Sequence, residues 1–199
     1  MSDNEFRSGF VCLVGRPNAG KSTLTNRIIG RKIAITSDRP QTTRRTVRGV
    51  LTRSDAQLIV VDTPGLHKPR TLLGERLNDL VRATWTEVDV IGFCLAANEE
   101  TGPGDRKLAA ELASIQRGPI IAVITKTDTA SPDEVAARLA SISELAAEVG
   151  LKVSEYVPVS AVTGDNVDVL VDLMIAQMPE GPQLFPEAQD TDEPEEAMC

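Results

Sequence analysis

The sequence predicts an α/β fold, in which a mostly parallel sheet of six strands lies between layers of helices. Several short apolar runs lack the polar alternation of a half-exposed strand, so they indicate strands that are buried on both faces. These runs alternate along the chain with segments whose apolar residues recur at helical spacing. Such alternation is typical of a three-layer α/β/α architecture, because parallel strands need crossover connections.

The predicted elements follow one another from a first strand to a last helix. The strands are predicted at residues 9–14, 46–51, 58–61, 88–96, 119–124 and 153–159. The helices are predicted as one that contains Leu24, Ile28 and Ile29, and others at 72–86, 104–117, 132–149 and 167–178. The turn residues 53–56 join two β-rich runs as a hairpin, so the sheet is expected to be mixed. Ser131 and Pro132 suit the cap and first turn of the helix that they begin.

Composition and charge exclude several classes of function. The 199 residues carry 21 basic and 29 acidic side chains, and this acidic balance argues against nucleic-acid binding by bulk charge. One Trp, one Tyr and four Phe provide no stacking platform for single strands. The longest apolar stretch, 90–97, is far shorter than the ~20 residues that span a bilayer, and the first residues are polar. Cys12, Cys94 and Cys199 lie far apart, which favours reduced thiols in the cytoplasm.

The composition changes near Pro179. Residues 1–178 are predicted as one domain, and residues 179–199 as a linker or tail. This segment holds four prolines, and six acidic residues lie between positions 187 and 196, so it buries too little apolar surface to fold alone. The alternative is a strap that packs on the domain through Leu184 and Phe185.

A phosphate-binding loop is predicted between the first strand and the first helix. Residues 15–22 read GRPNAGKS and fit the pattern G-x-x-x-x-G-K-[ST]. Glycines let backbone N–H groups converge on phosphate oxygens, and the helix that follows directs its positive end at them. Lys21 adds a positive charge, and the Ser22 hydroxyl is a ligand for Mg²⁺. The nucleotide-binding residues predicted in this segment are Gly15, Asn18, Ala19, Gly20, Lys21, Ser22 and Thr23.

Two further strand ends carry residues that suit a guanine nucleotide. Asp62 and Gly65 belong to the segment DTPG, where the carboxylate can hold Mg²⁺ through water and the Gly65 N–H can meet a γ-phosphate. The segment TKTD follows another apolar strand. Asp128 can accept two hydrogen bonds from the N1 and 2-amino edge of guanine, and adenine would leave that carboxylate unpaired. Lys126 can cover the base, and the backbone of Ser160 and Ala161 can contact its O6. A turn is the alternative interpretation of either tetrapeptide alone.

These segments occur in the order that the Ras-like GTPase fold uses. The chain resembles the G domain of the Era family, in the branch that includes TrmE-like and EngA-like proteins. The matching segments are GRPNAGKSTLTNRIIGRKIAITSDRPQTTRRTVRGV, VVDTPGLHKPR, TKTD and VPVSAVTGDNVD, and the resemblance covers about residues 6–188. It implies a Ras-like P-loop GTPase fold, GTP hydrolysis with Mg²⁺, and a role in small ribosomal subunit assembly and rRNA maturation. It also implies peripheral membrane association without a transmembrane segment.

The resemblance assigns roles to several more residues. Thr43, with Thr42 as the alternative, becomes the first-switch threonine that meets Mg²⁺, and residues 65–75 become the second switch. Leu66 stands where Ras-like proteins place a water-orienting glutamine, so hydrolysis needs help either from K⁺ or from an RNA or protein partner. Asn18 matches the position that binds K⁺ in TrmE-like relatives, which makes Lys21, Asn18 and Thr43 the predicted catalytic set. His67 is expected to be a loop residue that packs or hydrogen-bonds rather than a general base.

The sequence departs from the family in two places. Thr125 stands where most members carry an Asn that bonds the base and ties the phosphate loop to it, so the tie is expected to weaken by about 1 kcal/mol. No G-x-x-G loop follows residue 179, so the family's RNA-binding KH domain is not expected in this sequence. Direct RNA binding is therefore not expected. The basic run Arg44, Arg45 and Arg48 has two interpretations: it contacts RNA or the KH domain, or it is a solvated loop. Two other functions stay open, a nucleotide-sensing scaffold with negligible hydrolysis and a small-molecule phosphotransferase or ATPase.

Overall fold

The computed structural model describes residues 5–30, 46–62 and 72–186, except for the side chains of 72–77. The strands within this part of the chain are β1 (Arg7–Val14), β2 (Val47–Thr52), β3 (Ala56–Val61), β4 (Val90–Ala96), β5 (Ile120–Thr125) and β6 (Val153–Pro158). The helices there are α1 (Lys21–Ile29), α2 (Leu72–Glu87), α3 (Pro103–Ile115), α4 (Pro132–Val149) and α5 (Val167–Ala176), with a 3₁₀ turn at Thr127–Thr129.

The described strands form one mixed sheet in the order β2-β3-β1-β4-β5-β6. Strand β2 runs antiparallel to β3, and every other neighbouring pair is parallel. The predicted α/β fold is therefore confirmed, including the hairpin that makes the sheet mixed. Helices α3 and α5 end two residues earlier than predicted, at Ile115 and Ala176.

Two apolar cores lie on the two faces of this sheet. Alternate residues of the strands point to opposite faces, so Leu13 packs with α1 and α5, whereas Cys12 packs with α2, α3 and α4. Central strands β4 and β5 are buried along their whole length. Because helices cover both faces of the sheet, the residues on both faces of these strands are mostly apolar, and this explains the continuous apolar runs in the sequence.

The parallel strands bring the predicted functional segments to one edge of the sheet. Residues that follow or end β1, β3, β5 and β6 meet there, because the carboxyl ends of parallel strands lie together. The phosphate loop, Asp62, the TKTD segment and Ser160 thus share this edge. No helix among the described residues is long and apolar enough to cross a membrane.

The segment after α5 packs along the opposite edge of the sheet. Glu180 forms an antiparallel bridge with Arg7, and the Ser8 hydroxyl donates to the Pro182 carbonyl at 2.8 Å. Phe185 packs against the core that contains α2, α3 and α4. We call residues 179–186 the strap; of the two residues named for packing in the sequence analysis, Phe185 packs in this way, whereas Leu184 is 46% exposed. Residues 187–199 lie outside the described part of the chain.

Candidate nucleotide-binding site

The phosphate loop connects β1 to α1 by a tight backbone path. A Cβ atom at Gly15 would lie 2.6 Å from the Cys94 carbonyl oxygen, so only glycine fits at the first position. Asn18 and Gly20 adopt left-handed backbone conformations, with φ of 65° and 85°. The loop ends at the N-terminus of α1, whose unpaired N–H groups and positive dipole end attract anions.

Lys21 lies over the loop that precedes it. Its Nζ donates hydrogen bonds to the carbonyl oxygens of Gly15 at 2.5 Å and Arg16 at 2.9 Å. Burial of this half-buried side chain lowers the pKa of Lys21. The loop carbonyls therefore hold the ammonium group beside the backbone that is expected to bind phosphate.

Thr125 ties the phosphate loop to the end of β5. Its hydroxyl donates a 2.6 Å hydrogen bond to the Ala19 carbonyl oxygen, and only 3% of the residue is exposed. Although Thr is shorter than the Asn of most resembling proteins, it reaches the loop. A second tie runs beside it, because Lys126 Nζ donates to the Asn18 carbonyl oxygen at 2.5 Å. Two consecutive carbonyls of the loop are thus bonded to the last residue of β5 and the residue that follows it.

Asp128 is oriented by a hydroxyl from the end of β6. Ser160 Oγ donates to Asp128 Oδ1 at 2.8 Å and accepts from the Thr163 backbone N–H at 3.1 Å. Ser160 is 1% exposed, whereas Asp128 is exposed. Sequence reasoning assigned only the backbone of Ser160 and missed this role of its side chain. A serine in a segment that follows a parallel strand was the only available signal.

A cavity of about 170 Å³ adjoins these residues. Its wall includes the predicted residues Thr23 and Ala161, as well as Leu24 and Val162, which the sequence did not assign to the nucleotide site. The residues that line it are Gly20, Thr23, Leu24, Thr125, Lys126, Asp128, Thr129, Val159, Ala161 and Val162. The structure therefore brings the loop residue Gly20 and the carboxylate of Asp128 to one concave surface.

Asp62 lies at the end of β3 and pairs with Arg48. Arg48 Nε lies 3.3 Å from Asp62 Oδ2, and both side chains are partly exposed. The register of β2 against β3 shifts between Val47 and Gly49, so Arg48 is the extra residue of a bulge. Sequence reasoning counted Arg48 in a basic run, interpreted as either an RNA or domain contact or a solvated loop, and did not anticipate this partner.

Ser22 and Asp62 offer a donor set that suits Mg²⁺. Ser22 is exposed in the first turn of α1, and Asp62 is only partly covered. A hydroxyl and a carboxylate are hard oxygen ligands, and Mg²⁺ at phosphate sites is commonly held by one or two such groups together with phosphate and water. The residues present therefore fit this ion.

The sequence did not identify a buried ionic group that supports the loop from the other side. Asp105 of α3 is 3% exposed and lies 3.8 Å from Arg16 of the loop and 3.7 Å from Arg138 of α4. Burial lowers the pKa of Arg138, which also donates to the Ala96 carbonyl oxygen at 3.1 Å. Burial also raises the pKa of Cys94, whose carbonyl borders the loop, to about 12, so this thiol stays protonated.

Several predicted functional residues lie outside the described part of the chain. They are Thr42, Thr43, Arg44, Arg45, Gly65, Leu66 and His67, together with residues 68–71 of the second switch. Their predicted roles stay predictions.

The fold and this site define a phosphate-loop protein with the architecture of a nucleotide-binding G domain. Residues 10–126 match the family described as 50S ribosome-binding GTPase, and the chain belongs to that family. The chain is 62% identical to the GTPase Era of Streptomyces coelicolor over 192 residues, which are 96% of this chain and 61% of that relative. The resemblance to the Era family that the sequence predicted is thus confirmed.

Two solved structures show the same likeness. A crystal structure of Era in complex with MgGDPNP and nucleotides 1506–1542 of 16S ribosomal RNA matches with a TM-score of 0.75 and 37% identity, over 95% of this chain and 63% of that one. A variant of Aquifex aeolicus Era bound to GDP and AlF₄⁻ matches with a TM-score of 0.74 and 36% identity, over the same two shares. The chain spans less than two thirds of the length of these relatives.

Proposed function

We propose that this chain binds GTP and GDP and hydrolyses GTP as a molecular switch. The observation that carries the proposal is the position of Asp128, which Ser160 orients at a cavity that the phosphate loop also borders. The family match and the nucleotides in the two Era structures support it. A phosphate loop alone would serve an ATPase or a small-molecule phosphotransferase equally well. The Asp128 carboxylate favours a guanine-nucleotide protein over an ATPase or a small-molecule phosphotransferase.

Base selection rests on hydrogen bonds that only guanine completes. One oxygen of Asp128 accepts from Ser160, which fixes the plane of the carboxylate. Guanine presents N–H donors at N1 and at its 2-amino group, whereas adenine lacks the 2-amino group and presents a bare acceptor at N1. A site that is built for such donors rejects the analogue without them by up to ~10⁴-fold, because its polar groups stay unpaired.

We propose that Mg²⁺ accompanies the nucleotide and is held by Ser22 and Asp62, with Thr43 as the predicted ligand from the first switch. The bound ion would neutralise phosphate charge, which is the main electrostatic need of phosphoryl transfer. Lys21 and the loop N–H groups hold the same phosphates. Arg48 must leave part of the Asp62 carboxylate to the ion or its water, since the two side chains are paired.

Hydrolysis is proposed to be slow without help, roughly 10⁻⁴ to 10⁻² s⁻¹, because no glutamine follows Gly65 to orient water. Asn18 is the proposed K⁺ ligand by its match to TrmE-like relatives, and its left-handed backbone holds it exposed on the loop. Faster phosphate release in K⁺ than in Na⁺ at matched ionic strength is the expected result. Equal rates would remove the K⁺ role, and no phosphate release over many turnovers would favour the nucleotide-sensing scaffold instead.

We further propose that the switch acts in assembly of the small ribosomal subunit. Era has been crystallised with a segment of 16S ribosomal RNA, and this chain matches 63% of that Era chain. Contact with rRNA is proposed to involve mainly the part of Era that this chain does not cover.

The proposal is tested by calorimetry with guanine, adenine and xanthine nucleotides. The natural chain is expected to bind GDP and GTP and to give no heat with ADP or ATP. Asp128→Asn should shift preference toward xanthosine diphosphate, whose 2-oxo group accepts the hydrogen bond that an amide donates. The matched control is Asp133→Asn, which removes the same charge from the exposed first turn of α4 and should leave GDP preferred. Equal binding of GDP and ADP, or full GDP binding by Asp128→Asn, would refute the assignment.

A further inference from the structure

The hydroxyl of Thr125 has a single hydrogen, and the structure shows where it goes. A threonine hydroxyl offers one donor and two acceptor lone pairs. The donor is used by the Ala19 carbonyl oxygen at 2.6 Å, in a buried position. A carbonyl oxygen cannot donate in return, so this direction of the bond is fixed. Toward any other neighbour, Thr125 can only accept.

The Thr125 side chain also borders the cavity that Asp128 lines. Thr125 and Asp128 both line it, and a Cβ atom at Gly20 would lie 3.5 Å from Thr125 Oγ1, so the residue also touches the phosphate loop. The edge of guanine that lies away from its 2-amino group presents O6 and N7, and both are acceptors. A hydroxyl without a free hydrogen cannot bond to either. An Asn side chain has two N–H donors, so one can hold a loop carbonyl while the other reaches the base.

We propose that Thr125 determines how this chain recognises guanine, because its hydroxyl holds the phosphate loop and donates no hydrogen bond to N7 of the base. The side-chain reading of the base then falls to Asp128 alone, on the N1 and 2-amino edge. This inference rests on the proposed function, because it refines how the same site reads guanine. It identifies Thr125 as the residue that makes the site tolerant of changes at N7.

The test compares GDP with 7-deaza-GDP, in which a C–H group replaces N7, by calorimetry on the full chain. The natural chain should bind the two nucleotides with equal affinity, within about twofold. Thr125→Asn should prefer GDP by about 2- to 10-fold, the value of one net hydrogen bond. Thr127→Asn is the matched control, because it makes the same change two residues away, at a position that does not line the cavity, and it should keep the ratio near one.

Two more variants separate the loop tie from base reading. Thr125→Val keeps the volume but leaves the Ala19 carbonyl without its donor, so GDP and 7-deaza-GDP should weaken together by about tenfold, at an unchanged ratio. Thr125→Ser keeps the hydroxyl and should behave like the natural chain, which keeps the test valid if the valine variant folds poorly.

Three results would overturn the inference. The first is a preference of the natural chain for GDP over 7-deaza-GDP of more than about fivefold, which exceeds a small stacking difference and requires a bond to N7. The second is the absence of any gain in Thr125→Asn, which would remove Thr125 as the determining residue. The third is the absence of heat with either nucleotide, which would refute the proposed function itself and the inference with it. The first two outcomes require guanine binding, so they are distinct from the third.

Discussion

Replacement of Gln57 by leucine is expected to release the strap from the sheet. Gln57 lies in β3 and is 0% exposed. Its Nε2 donates to Thr52 Oγ1 at 3.0 Å and to the Phe185 carbonyl at 2.9 Å. Its Oε1 accepts from the backbone N–H groups of Leu184 at 2.8 Å and Phe185 at 2.9 Å. Three of these four hydrogen bonds hold the strap, and leucine keeps a similar volume without any of them.

The size of the effect follows from those three bonds. Each contributes about 0.5–1.5 kcal/mol net, so the free energy of unfolding should fall by about 2–4 kcal/mol. The loss stays near that range because a released strap regains water for its backbone groups. If the strap remained in place, the unpaired N–H groups of Leu184 and Phe185 would each cost about 1–3 kcal/mol, which favours release.

Urea unfolding measures the stability change, and amide hydrogen exchange at Leu184 and Phe185 reports on the strap. Both amides should lose protection in Gln57→Leu, whereas GDP affinity should not change, because Gln57 lies at the edge opposite the proposed nucleotide site. Gln183→Leu is the matched control, since exposed Gln183 makes one bond to the Phe185 carbonyl and should cost under about 1 kcal/mol. Retained protection together with a stability change below about 0.5 kcal/mol would show that Gln57 does not anchor the strap.

Two further substitutions test the phosphate side of the site. Gly15→Ala should weaken GDP binding by more than about tenfold in calorimetry, because its Cβ would meet the Cys94 carbonyl oxygen at 2.6 Å and displace the loop. Gly102→Ala, which meets no atom closer than 3.5 Å, should bind GDP normally, and equal losses in both would contradict the steric argument. Arg48→Gln should lower the Mg²⁺ concentration needed for half-maximal GTP binding by up to about fivefold, since it removes an exposed ion pair from Asp62. A higher Mg²⁺ requirement would instead mean that Arg48 assists the metal site.

The sequence predicted the parts of the fold that depend on local pattern. Strands buried on both faces appear as continuous apolar runs, and the phosphate loop is one contiguous segment between a strand and a helix. The strap lacks such a signal, because Phe185 finds its partner Gln57 at a distance of 128 residues along the chain. Its prolines and the acidic residues after it are typical of linkers, so composition led to the prediction of an unpacked tail.

The pairing of side chains across the sheet was the second feature that could not be predicted from the sequence. Arg48 meets Asp62 only because a bulge adds one residue to β2, and no residue type signals that register shift. Ser160 meets Asp128 because β5 and β6 are neighbours in the sheet, a fact of topology rather than spacing. The motifs thus indicated which residues are predicted to meet the nucleotide, whereas the contacts that orient those residues required the fold.

The ties around the phosphate loop link the base side of the site to its phosphate side. Thr125 and Lys126 bond the carbonyls of Ala19 and Asn18, and Asp105 lies beside Arg16 at the beginning of the same loop. A loop that is held at both ends needs little ordering when a ligand arrives, so more of the contact energy appears as affinity. Thr125 and Lys126, at the end of β5, are therefore expected to contribute to phosphate binding as well as to base selection. Substitutions at Thr125 and in the loop should then be non-additive, because each disturbs the same set of hydrogen bonds.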